Sequence, residues 1–198
     1  MHLFLELVTL GATILCFWHA VRTRGAEGGW LFASALFMGF FREGFVVARD
    51  YLYGYADLTL MIGRVPVIGA IIWSYCIWLA VVWVERVSGE RIGTARLTAR
   101  ACALVAVFLV ALACFFEPFL KLVDMARWQT GTWKVLDLPM IATIGYPTMT
   151  LLFLWIFGAV ARRVPAGPRR GAALAAALAF GSAAHVVVLQ ALKTRIGW

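Results

Sequence analysis

The sequence predicts an all-α, polytopic integral membrane helix bundle of about six transmembrane helices, and three observations carry that prediction. Hydrophobic residues make up 63% of the chain, charged residues 14%, and the mean hydropathy is +0.87. A soluble domain runs at about 45–50% apolar and about 25% charged. The apolar residues are gathered into runs long enough to cross a bilayer, which takes ~20 residues each. Six such runs consume most of the 198 residues. The chain therefore reads as one transmembrane domain, 1–198, with no room for a soluble catalytic unit.

The first run, from about Leu3 to Val21, lacks a basic leader and a small-residue cleavage site, so it reads as a retained helix. The second starts near Trp30 and passes through Arg42 and Glu43 towards Asp50. The third spans about Met61 to Val84, the fourth Leu97 to Phe116, the fifth Pro139 to Ala161 and the sixth Gly171 to Leu192. Small residues from Gly171 to Ala184 favour close helix packing. Arg-rich hinges separate most of the runs. Tyr51 to Thr59 and Pro118 to Leu138 are too long for turns, and the second is amphipathic and Trp-bearing, which predicts a segment lying in the interface. Pro118 is expected to break or bend the fourth helix just after Glu117.

Charge orients the bundle. With the N-terminus outside, ten of the eighteen basic residues face the cytoplasm, among them Arg22, Arg24, Arg86, Arg91, Arg162 and Arg163. Of the ten acids only Glu27, Glu85 and Glu90 fall there, and seven fall on the opposite side. The expected location is the inner (cytoplasmic) membrane of the cell, with the acidic cluster on its non-cytoplasmic side. A net charge of +8 dispersed over membrane loops suits anionic lipid headgroups and not nucleic acid.

The acids repeat. Phe41-x-Glu43-x-Phe45 with Asp50 is matched by Phe115-x-Glu117-x-Phe119 with Asp124, and Pro66 and Pro139 open an apolar run 23 and 22 residues after each Glu. Chance matching in apolar sequence is one reading; a duplicated helix pair, over about 30–84 and 97–161, is the other and better one. Seven residues on a helix place Glu43 and Asp50 on one face ~10 Å apart. Intramembrane acids are costly and read by default as functional. A carboxyl in apolar surroundings tends to its neutral form and can then donate a proton. The competing reading is neutralisation by Arg42, Arg49, Lys121 or Arg127, which weighs most for Asp50, Asp57 and Asp124.

Other chemistries find little support. His2, His19 and His185 lack metal-ligand spacing, and Cys16, Cys76, Cys102 and Cys114 lie singly in apolar runs. No serine has the surroundings of a nucleophile. No cofactor is expected; a divalent cation held by carboxylates is the alternative.

Glu43, the Tyr-Leu-Tyr-Gly-Tyr run of 51–55, and Gly63-Arg-Val-Pro66 followed by Trp73 resemble the first half of the bacterial and archaeal carotenoid biosynthesis membrane proteins. Glu117-Pro118, Trp128, Thr132-Trp133 and Leu138-Pro139 leading to Tyr146 resemble the second half, so the similarity covers about 40–160. The family includes carotenoid 1,2-hydratases. Met140-Ile141 departs from it by standing where the family carries a polar residue.

The resemblance implies a cofactor-independent enzyme that hydrates the terminal double bond of a lipophilic polyene reached from the bilayer. Glu43 or Glu117 would give the proton, and Tyr55, Trp73, Trp128, Trp133 and Tyr146 would face the cation. Asp50, Asp124 or Asp137 would orient water as base. A carotenoid cyclase or isomerase uses the same acid chemistry. The other readings are a pigment-binding subunit and a small transporter. A homo-oligomer and a complex with a partner subunit are both open.

Overall fold

The computed structural model describes residues 2–49, 52–55, 58–94, 96–128, 134–135 and 138–196. Six helices dominate: α1 (His2–Arg24), α2 (Ala26–Arg49), α3 (Val67–Ser88), α4 (Ala99–Leu122), α5 (Met140–Arg163) and α6 (Pro168–Ile196). Each is long and apolar enough to cross a membrane. Even α3, the shortest at 22 residues, reaches ~33 Å against a hydrocarbon core of ~30 Å. The chain is a multi-pass membrane protein built as an all-α bundle.

Among the described residues there are also six short strands: β1 (Tyr53–Tyr55), β2 (Met61–Ile62), β3 (Val65–Pro66), β4 (Ala126–Trp128), β5 (Lys134–Val135) and β6 (Leu138–Pro139). Consecutive spans reverse direction, so the α2–α3 and α4–α5 connections, which hold every strand, lie at the same membrane face. The opposite face carries the Arg-rich turns. There Arg24 is tied to Glu85 and to the Ile92 carbonyl, 2.6 Å away, and Arg91 pairs with Glu27 at 3.1 Å.

The two halves run through the same series of elements. A helix carrying the acid leads to a strand, then to a two-stranded hairpin, then to a helix that starts directly after a proline. Pro66 and Pro139 are the N-cap residues of α3 and α5, at φ −68°, ψ 128° and φ −66°, ψ 119°. Proline suits such a position because it cannot donate a helical hydrogen bond and its φ is preset. The hairpins share one register, Met61 opposite Pro66 and Lys134 opposite Pro139. In the first of them Gly63, at φ +61°, takes the left-handed position of the two-residue turn.

β1 and β4 pair antiparallel, Gly54 opposite Arg127, and so join the two halves across their shared face. Side chains alternate on a strand. Tyr53 and Tyr55 on β1, with Ala126 and Trp128 on β4, therefore point inward together, whereas Arg127 between them points out and is exposed.

Three expectations need correction. The third span starts at Val67 and not near Met61, because Gly63 and Pro66 fold 61–66 into a hairpin before the helix begins. Pro118 does not break α4, which continues to Leu122; the ring removes one backbone N–H donor without ending the helix. The stretch from Pro118 to Leu138 is not one segment: it begins as the end of α4, to Leu122, and β4, β5 and β6 follow among its described residues. Its amphipathic pattern belongs to the end of α4 and to the alternation of β4.

α3 is the central helix, with most of its length buried, and α1 and α4 are peripheral. Large apolar residues exposed on the outer helices, such as Phe4, Leu15, Phe115 and Trp155, form the lipid-facing surface. α2 and α3 approach closely enough that a Cβ on Gly39 would sit 2.1 Å from the Ala70 carbonyl oxygen. The Gly39→Ala variant should lose about 1–3 kcal/mol of stability, since backbone cannot yield there as a flexible side chain can. Gly11→Ala, where nothing lies within 4 Å, serves as the control. Thermal unfolding in detergent checks the contrast, and equal stability of the two variants would mean that α2 and α3 are not so closely packed.

Candidate functional site

The C-terminal half of α2 brings Arg42 and Glu43 into the interior, 3% and 0% exposed. A charge so deep requires partners, and Glu43 has four. Arg42 Nη1 donates to Oε1 at 2.6 Å, Trp73 Nε1 to the same oxygen at 2.7 Å, Tyr55 OH to Oε2 at 2.7 Å, and Tyr53 OH to both oxygens at 2.8 and 2.9 Å. The guanidinium lies over the Trp73 ring, 4.4 Å from its centre, a favourable cation–π placement. Burial, together with the Glu43 carboxylate, pushes the Tyr53 and Tyr55 phenols well above their ordinary range. Both therefore remain neutral donors across the physiological range.

Close approach of β1 to α3 makes this possible. A Cβ on Gly69 would sit 2.3 Å from the Tyr55 hydroxyl, so only glycine leaves that ring its place against the helix.

Glu117 occupies the matching place on α4 and is 6% exposed. Its partners are an indole and a phenol: Trp128 Nε1 donates to Oε2 at 2.6 Å, and Tyr146 OH to Oε1 at 3.0 Å. The two arrangements correspond element by element. Trp73 and Tyr146 each stand seven residues after the proline of their half, and their rings meet with centres 5.2 Å apart. Tyr53 and Trp128, from the paired strands, meet at 4.9 Å. One position differs in kind. The residue before the acid is Arg42 in the first half and Phe116 in the second.

Both acids line a single internal cavity of about 40 Å³, whose walls are Arg42, the aromatics just named, and apolar side chains such as Ile72, Leu120 and Leu189. That volume admits a few waters, since one needs ~10–15 Å³, and is far smaller than a pocket enclosing a drug-sized ligand. Among the described residues lining it, Arg42 is the one cation, against two carboxyls.

Six of the sequence-predicted residues thus meet at one place: Glu43, Glu117, Tyr55, Trp73, Trp128 and Tyr146. Asp124 does not join them. It follows the end of α4 in a left-handed conformation, φ 50°, and its exposed carboxylate takes two hydrogen bonds from Arg127 at 2.9 and 2.7 Å. Arg127 holds that carboxyl below the usual carboxylate range. Asp50, Asp137 and Trp133 lie outside the described residues. Among the described residues no group of three or more His, Cys, Asp and Glu side chains is placed to hold a metal ion.

Sequence reasoning passed over Tyr53 as a site residue. Its signal was the spacing of two from Tyr55, which puts both on one face of a strand. It also passed over Glu6, a buried carboxylate on α1 that accepts the backbone N–H groups of Thr59 and Leu60 at 2.8 and 3.0 Å and so fastens the chain ahead of the first hairpin.

No protein-family model, curated protein or solved structure matches this chain.

The buried pair makes a stability prediction. Arg42→Met leaves Glu43 uncompensated and should cost about 3–5 kcal/mol, whereas adding Glu43→Gln to it should restore part of the loss. Unfolding of the two single variants and the double variant in detergent measures the coupling. Losses that simply add would show that the pair does not act as a unit.

Proposed function

We propose that this protein is a membrane enzyme that adds water to the terminal double bond of an acyclic, carotenoid-like polyene, with Glu117 as the proton donor. The observation that carries this reading is the asymmetry of the two acids in one aromatic cavity. Glu43 is neutralised by Arg42, while Glu117 has neutral donors and Phe116 in the arginine's place. With Glu117 protonated, the charges lining the cavity balance; with both acids ionised, one negative charge is left over in an apolar site. A protonated Glu117 holds its place by donating from Oε1 to the Tyr146 oxygen.

The reaction then needs no cofactor. Glu117 transfers its proton to the less substituted alkene carbon, the π-electrons form the new C–H bond, and a tertiary cation is left next to it. The faces of Trp73, Tyr146 and Trp128 stabilise that cation by ~0.5–2 kcal/mol each. A water molecule adds its lone pair to the cation, and the resulting oxonium returns a proton to the Glu117 carboxylate. The sum is one alkene and one water giving one tertiary alcohol, with the acid regenerated. Glu43, tied to Arg42, stays a fixed negative charge that favours the cation without being consumed.

The cavity's size fits the end of a long chain and not the whole of it, so the rest of the substrate lies in lipid. The Arg-rich turns at the other end of the bundle support the reading in which the acidic face lies on the non-cytoplasmic side of the inner membrane.

Expression in cells that accumulate an acyclic polyene tests the reading. The parent protein should yield a pigment heavier by one water, and Glu117→Gln should lower that product by about a hundredfold or more while remaining stable in detergent. A pigment of unchanged mass but altered absorbance would replace hydration by cyclisation or isomerisation. Unaltered pigment that copurifies, or full turnover by Glu117→Gln, would reject the assignment.

A further inference from the structure

Glu117 and Trp128 line a second space besides the internal cavity. Outside them lies a groove of about 160 Å³, bordered among the described residues by Lys121, Asp124, Arg127 and Lys134, all exposed. Glu117, Ala126 and Trp128 belong to the walls of both. The groove carries four charged side chains at the strand-bearing membrane face, whereas the lining of the cavity is mostly apolar. Of the three residues common to both walls Trp128 is the largest, its indole hydrogen-bonded to Glu117 at 2.6 Å and packed edge-on against Tyr53, with ring centres 4.9 Å apart.

We propose that Trp128 is a water gate: its indole divides the outer groove from the cavity and meters the water that reaches the cation. This rests on the hydration reading. A cation formed behind a closed wall loses a proton and becomes an isomer; one formed with water admitted becomes an alcohol. Position 128 then sets the product as well as positioning the acid. The two roles separate by substitution. Trp128→Phe keeps an aromatic ring in the wall, though a smaller one, and removes the N–H bond to Glu117, which should slow turnover and leave the ratio of alcohol to isomer close to that of the parent. Trp128→Ala opens the wall and should raise that ratio about tenfold, the effect of replacing a closed apolar barrier by a water path.

A second measurement decides the gate without any turnover. Ala142 lines the cavity and is buried. In a background with the four native cysteines replaced, Ala142→Cys should resist a water-soluble thiol reagent while Trp or Phe stands at position 128, and should react at least about tenfold faster with Trp128→Ala. Equal labelling with and without the indole overturns the gate, as does protection that persists in Trp128→Ala. A parent that makes no alcohol rejects the hydration reading alone, and the labelling result still decides the gate. Loss of detergent-stable protein in Trp128→Ala transfers the labelling test to Trp128→Leu, which removes the indole and keeps apolar volume.

Discussion

The pair formed by Arg42 and Glu43 is the constraint around which the rest of the bundle is arranged. Two charges in the interior of a membrane protein are costly even as a pair, Arg42 Nε having no hydrogen-bond partner among the described residues, and the main compensation lies at the acceptor positions of Glu43. Filling them takes one indole from α3 and two phenols from β1, which forces the α2–α3 connection to fold back over the site. Gly69 admits one of those phenols, and the proline at the start of α3 sets the depth at which Trp73 arrives.

The second half repeats this scheme with its cation removed. Phe116 stands for Arg42, a tryptophan on β4 stands for the β1 tyrosines, and Tyr146 stands for Trp73. The antiparallel pairing of β1 with β4 then sets both acids against a single cavity. A site with one balanced carboxylate and one carboxyl without a guanidinium has two different electrostatic tools from nearly identical parts. That division of labour supports the proposed acid chemistry more strongly than either acid does alone.

Much of this was legible in the sequence because it rests on patterns that survive without tertiary context. Six spans follow from hydropathy and length. Glu43 and Glu117 stand out because acids in such runs are rare, and Pro66 and Pro139 because their distances from those acids nearly agree. The strands were not legible, since two or three residues leave no periodicity to detect, and β1 meets β4 across more than 70 residues of chain. Asp124 illustrates a different limit. Its spacing from Glu117 copies that of Asp50 from Glu43, but the helix ends two residues before it and a left-handed turn points it outward to Arg127. Spacing on an ideal helix locates a side chain only while the helix lasts.

The central claim is that the two buried carboxyls differ in protonation, Glu117 neutral and Glu43 ionised. Infrared spectroscopy of the purified protein in lipid tests it most directly, through the carbonyl stretch of a protonated carboxylic acid and its shift in deuterium oxide. The account predicts one such band from the cavity at neutral pH, lost in Glu117→Gln and kept when Arg42→Met and Glu43→Gln are combined, which removes both charges of the pair and leaves Glu117 without a cation. A band that survives Glu117→Gln, or no protonated carboxyl at all, would contradict it.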